Sequence, residues 1–177
     1  MNDFLELCKR RQSCRGFAET PVEHEKLLNC VEAGRLAPSG CNGQPWSFVV
    51  VESKGLVAEV AKCGQQNSMN PYLSSAQAFI IVLEEHAVLM PALRNTLDSQ
   101  YFAKGDLGAA TVHICLEAET QGLGACFIGV YNRVRLCELL DIPLEKRFGA
   151  LIAVGYPAKD EVRQKVRRPL EEMGRFV

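Results

Sequence analysis

Ala37-Pro38-Ser39-Gly40-Cys41-Asn42-Gly43-Gln44-Pro45-Trp46 leads straight into Ser47-Phe48-Val49-Val50-Val51. The first ten residues cannot continue a helix, because two prolines fix φ and lack a donor while two glycines loosen the backbone between them. From Phe48 on the residues alternate little and are β-branched or aromatic, as a strand entering a core requires. A helix, a loop and a buried strand are thus read from one stretch. The loop is denser in hydrogen-bonding groups than a connector needs. Ser39, Asn42 and Gln44 add hydroxyl and amide groups beside Trp46, a combination suited to a planar ligand with polar edges. Ordinary turn punctuation accounts for any one of these residues taken singly.

Outward from this stretch the pattern alternates between helices and strands. Asp3 to Arg10 reads as a short helix with its basic residues at the C-terminal end, where the helix dipole favours them. A second helix is expected from about Glu23, burying Leu27, Leu28, Val31 and Leu36 before Pro38 stops it. Lys54 to Cys63 reads as helical, Ala78 to Leu83 as a buried strand, and residues 85–104 as a partly helical excursion broken by Pro91. Asp106 is placed as the cap of a long helix. Its Leu107, Ala110, Thr111, Ile114, Cys115 and Ala118 recur at helical spacing, and Gly122 closes it. Gly108, Ala109 and Ala110 are small enough for another backbone or a second subunit to approach closely. Gly124 to Gly129 is a strand or turn, Arg133 to Leu140 a helix, and Phe148 to Tyr156 a final strand. The chain is read as one domain over 1–177, with 158–177 as a C-terminal arm.

Composition excludes several classes. With 177 residues, 47% of them hydrophobic, the chain can bury a substantial core. Its longest apolar runs fall far short of the ~20 residues a membrane helix needs. The start, Met1-Asn2-Asp3, is acidic and lacks the apolar core of a signal peptide, so a cytoplasmic protein is expected. The eight cysteines include no Cys-x-x-Cys pair, and reduced thiols with no metal site are expected. Three scattered histidines make acid–base catalysis by side chains a poor fit, and a bound cofactor a better one. Gly122, Gly124 and Gly129 do not form a dinucleotide fingerprint, because they follow a helix instead of opening one.

The net charge of −1 hides an asymmetry: residues 1–15 and 159–177 each carry +2, leaving −5 on the body. Two basic ends around an acidic body do not make the broad positive surface that nucleic acid requires. They can converge on one small anion. In extended backbone, Arg11, Ser13 and Arg15 share a side, as do Lys165 and Arg167. Guanidinium, ammonium and hydroxyl groups together point to phosphate, and the amide-rich loop to a planar head group attached to it.

These motifs, in this order, resemble those of the nitroreductase family of FMN-dependent oxidoreductases. The resemblance runs from Arg11-x-Ser13-x-Arg15-x-Phe17, through residues 37–46, to Asp106-Leu107-Gly108-Ala109-Ala110. It continues through Gly122-Leu123-Gly124, Phe127-Ile128-Gly129, Gly155-Tyr156-Pro157 and Lys165-x-Arg167-x-Pro169. It implies an α+β fold, an α-β-α sandwich whose mostly antiparallel sheet is flanked by helices, in an intertwined homodimer with FMN at the interface. Carried over by position, Arg11, Ser13, Lys165 and Arg167 would hold the phosphate, with Gln12 beside them and Arg15 toward the ribityl chain or pyrimidine edge. Pro38, Ser39, Gly40 and Asn42, with Gln44 nearby, would come from the partner subunit, and the backbone at Ile128 and Gly129 would face flavin N5.

Tyr101 and Phe102 would wall the substrate pocket. Gln12 stands where many relatives carry a basic residue, which makes the phosphate shell less positive unless Arg168 joins it. Cys14 and Cys41 lie inside the flavin-contacting motifs. The implied reaction is ping-pong: NADH or NADPH gives hydride to the flavin and leaves, and an electron-poor acceptor such as a nitroaromatic or quinone replaces it. A flavin carrier or sensor without turnover, and a specialised branch performing dehalogenation or flavin fragmentation, remain alternative readings of the same residues.

Overall fold

A computed structural model describes residues 3–87 and 100–177. Its helices are α1 (Asp3–Arg10), α2 (His24–Arg35), α3 (Lys54–Gly64), α4 (Tyr101–Thr120) and α5 (Arg133–Leu140). Its strands are β1 (Trp46–Val51), β2 (Ala78–Glu84), β3 (Gly124–Phe127) and β4 (Arg147–Gly155). They form one sheet in the order β1-β2-β4-β3, with every pairing antiparallel. The sheet order leaves β3 at an edge, and residues 13–17 cover it. Ser13 bridges Ala125 in parallel, Cys14 donates its N–H to Ala125 O at 3.0 Å, and Phe17 pairs with Pro157.

The two-residue period of β2 divides the core. Phe79, Ile81 and Leu83 pack with α3 and α5 on one face, through Val60, Cys63, Leu136 and Cys137. Ala78, Ile80 and Val82 pack with α2 and α4 on the other, through Leu27, Cys30, Ala110, Ile114 and Ala118. All seven residues of β2 are buried, because helices cover both faces of the sheet. The expected α-β-α sandwich is therefore present. The close fit of α2 on α4 depends on Gly34, where a Cβ would lie 2.8 Å from Ile114 Cγ1. Such contact is closer than packed carbons tolerate.

Two details depart from the sequence reading. Leu28 and Leu36 are exposed, because Leu27, Cys30 and Gly34 define the buried stripe of α2, and residues one or two positions away turn from it. The long helix starts at Tyr101, so Asp106 lies within it and does not cap it. Nothing in residues 101–105 breaks a helix, and the start is pinned by Gln100. This buried side chain donates to Glu84 Oε1 at 3.1 Å and Glu85 O at 2.8 Å, and accepts from the Ala87 N–H. The excursion expected over 85–104 lies largely at 88–99, outside the described residues. Gly122, at φ +76°, ends α4 as expected, in the left-handed conformation glycine adopts most easily.

Candidate functional site

Residues 11–16 are extended because they pair with the edge of β3, and the C-terminal arm lies across them. A cleft of about 370 Å³ separates residues 12–16 from 157–163, with Glu119 and Gly124 in its wall. The arm is tied down at several points. Lys165 Nζ donates to Arg11 O at 2.6 Å, and Arg163 Nη2 donates to Ser13 O at 2.6 Å. Gln12 donates through Nε2 to Glu161 O at 2.6 Å and accepts through Oε1 from Arg163.

The two basic ends of the chain therefore meet. Lys165 lies within electrostatic range of Arg11, Arg167 and Arg163, with Glu119 as a neighbouring carboxylate. Loss of hydration, then the charges of Arg11 and Arg167, hold its ammonium below the ordinary lysine range. A site built from mutually repelling cations gains most when an anion arrives. Glu119 contacts Arg10 at 3.6 Å, yet partial burial pushes its carboxyl up, against the opposing pull of Arg10, Lys165 and Arg11.

The structure brings Arg11, Ser13, Lys165 and Arg167 into one region. Arg15 extends from the same strand toward Tyr72, whose hydroxyl also meets Asn70 Oδ1 at 3.2 Å and Cys126 Sγ at 3.5 Å. Burial first, then Cys126, pushes that hydroxyl up to about 12, so it stays protonated at working pH, although Arg15 pulls the other way. Tyr72 and Asn70 were missed in the sequence. Asn70 holds φ +51° immediately before Pro71, and the Asn-Pro pair was its available signal.

The loop of residues 38–44 lies elsewhere. Cys41, Asn42 and Gln44 all have positive φ, at 52°, 55° and 45°, each costing on the order of 1–3 kcal/mol. Internal bonds hold this strained shape: Gln44 N donates to Ser39 Oγ at 3.0 Å, and Asn42 N to Ser39 O at 3.1 Å. Asp106 anchors it, since its Oδ2 accepts from the Gly40 N–H at 3.1 Å. Gly40 is small because its own chain crowds it: a Cβ there would meet Phe102 at 3.3 Å. Phe102 thus stands beside the loop, and Tyr101, next to it at the start of α4, is exposed as well. Lys104 Nζ sits 5.2 Å from the Tyr101 ring centre.

Ile128 is buried and spends its N–H on Leu151 O at 2.9 Å, whereas Gly129 is exposed with open space at its Cβ position. The thiols divide by environment. Burial pushes Cys30 and Cys115 up to about 12, which makes them inert. Cys14 is half-buried against Gly124, where a Cβ would lie 2.6 Å from its own, and Cys41 is exposed. Among the described residues no three His, Cys, Asp or Glu gather as a metal site would need, and no helix is long and apolar enough to cross a membrane.

The fold is α+β, and a cluster of cations gathered beside a sheet edge has the chemistry that suits a small phosphate-bearing group. Comparison with known proteins gives the family. The nitroreductase family model matches residues 8–156, and the chain belongs to that family. A Streptococcus pyogenes protein named as an NAD(P)H nitroreductase is 49% identical over 198 residues, covering 96% of this chain and 97% of the relative. An FMN reductase [NAD(P)H] of Bacillus subtilis is 29% identical over 184 residues, covering 97% and 72%. A nitroreductase-type protein of Desulfovibrio desulfuricans, solved in complex with FMN, superposes with a TM-score of 0.77 at 28% identity, covering 98% and 95%. The chain is an NAD(P)H-dependent flavin oxidoreductase with FMN as its cofactor.

Proposed function

We propose that the protein passes reducing equivalents from NADH or NADPH to an electron-poor acceptor, a nitroaromatic or a quinone, at a site assembled from two copies of the chain. Bound FMN would supply the redox chemistry, taking hydride from the nicotinamide and returning electrons to the acceptor. The chain's own task is binding and electrostatics. Arg11, Ser13, Lys165 and Arg167 would hold the phosphate, Arg15 would set positive charge near the ribityl chain or the ring's polar edge, and the backbone at Ile128 and Gly129 would meet the ring. The residues fit the cofactor, because a phosphate dianion among Arg11, Lys165 and Arg167 would offset the mutual repulsion that depresses the Lys165 ammonium.

The observation that carries the composite site is distance along α4. Asp106, which anchors the loop, and Glu119, which faces the cations, are thirteen residues apart, about 20 Å of helix rise. In one chain the loop and the phosphate cluster lie toward opposite ends of that helix. Pro38, Ser39, Gly40, Asn42 and Gln44 therefore serve the cofactor held by the partner, with Tyr101 and Phe102 as its outer wall.

Exposed apolar groups supply the surface for this assembly. Phe4 and Leu5 on α1, Leu28 on α2, and Val166, Leu170, Met173 and Phe176 on the arm are all exposed. On α4, Tyr101, Gly105, Gly108 and Val112 share one open face, with no atom near the Cβ position of either glycine. The test is anaerobic mixing with each nicotinamide, followed by a panel of nitroaromatics, quinones and a halogenated phenol. Bleaching by nicotinamide and rapid return of colour with nitro or quinone acceptors supports the reading. Bleaching reversed only by the halogenated phenol selects a dehalogenating branch, and a preparation that never bleaches is a carrier.

A further inference from the structure

We propose that Gln12 and Arg163 form a clasp that docks the C-terminal arm and so positions Lys165 and Arg167, making retention of the cofactor's phosphate depend on a side chain that need not touch it. The inference rests on the FMN reading of the site and assigns Gln12 a role other than phosphate ligand. Both ends of its amide are committed to the arm. Nε2 donates to Glu161 O at 2.6 Å, while Oε1 accepts from Arg163 N at 3.2 Å and Arg163 Nε at 3.0 Å. Arg163 in turn reaches past Gln12 to Ser13 O at 2.6 Å.

The clasp sits two residues before Lys165, and Lys165 closes on Arg11 O at 2.6 Å. A fastening is needed at this point. The arm brings Arg163, Lys165 and Arg167 toward Arg11, and their mutual repulsion opposes docking until an anion is present. Much of the arm beyond the clasp is exposed, so its own burial contributes little. A neutral amide with a donor and an acceptor matches the neighbouring arm backbone and Arg163 together. A cation at position 12 could not accept from Arg163 and would add to the repulsion. Binding to a site present only when the arm is docked is weakened in proportion to the docked fraction.

The experiment titrates full-length apoprotein with FMN and, separately, with riboflavin, which carries the ring and ribityl chain without phosphate. Gln12→Ala and Arg163→Ala should each weaken FMN binding about ten-fold. Riboflavin affinity should stay within about two-fold of wild type. The double variant should be no weaker than either single, since both substitutions open one fastening. Amide exchange over residues 158–168 should quicken in Gln12→Ala. Unchanged FMN affinity in both single variants overturns the clasp, as does an equal loss of riboflavin binding, and additive losses would instead make each residue a separate ligand. Wild-type protein that takes up neither flavin would defeat the FMN reading itself.

Discussion

The Gly40 N–H donates to Asp106 Oδ2 at 3.1 Å, and this bond seats the strained loop of residues 38–44 on the first half of α4. Without the carboxylate, the loop that holds Cys41, Asn42 and Gln44 at positive φ loses this anchor to α4. Asp106→Ala should weaken FMN and riboflavin alike by about ten-fold, the scale of a hydrogen bond to a charged group. Asp106→Asn, which retains an acceptor, should lose less. Parallel titration of both flavins checks this, because an effect confined to FMN would place the loop at the phosphate.

Lys165 gives the site a pH dependence. Desolvation, then Arg11 and Arg167, depress its ammonium, so it loses its proton at a lower pH than an ordinary lysine. Anion binding favours the protonated form. FMN affinity should accordingly fall as the pH rises through the alkaline range, starting earlier than an unperturbed lysine would give, and riboflavin affinity should not follow it. In Lys165→Met the affinity should be lower throughout and this part of the slope absent. The measurement is fluorescence titration across pH in wild type and variant.

Gly108 tests the assembly without disturbing the monomer. Its Cβ position is open, and arginine is a better helix former than glycine by roughly 1 kcal/mol. Gly108→Arg should therefore preserve the helix content while placing a charge on the face proposed to meet a partner. Sedimentation should show a shift toward monomer, with colour lost in step. A yellow monomer would place a whole site within one chain.

The sequence made the sandwich legible because its strands are nearly pure apolar runs and its helices keep a strict period. Ala78 to Leu83 could be buried on both faces only by helices on both sides. The meeting of the two basic ends was legible for a related reason: extended backbone aligns Arg11 with Ser13, and the charge asymmetry marks the two ends as partners, which the contacts of Lys165 with Arg11 bear out. What escaped notice depends on contacts distant in sequence. Asp106 has the composition of a cap, and only Gln100, fixed by Glu84 and Glu85, lets α4 begin a turn and a half earlier. Leu28 and Leu36 look buried by composition, but the face of α2 is set by its meeting with Ile114 at Gly34. Gln12 looks like a weakened phosphate ligand until its partners on the arm, about 150 residues away, are seen.

The composite site is tested most directly by pairing two defective chains. Arg11→Ala removes a cation from the phosphate cluster, and Asp106→Ala releases the loop. Differently tagged copies of the two variants, co-expressed and purified through both tags, give a heterodimer. If each site joins the cluster of one chain to the loop of the other, one site is doubly damaged and the other has both parts intact. That heterodimer should bind one FMN at wild-type affinity and bleach with NADH or NADPH, although neither homodimer does so. A heterodimer as weak in FMN binding as its parents would mean that cluster and loop serve the same cofactor within one chain, contradicting the account.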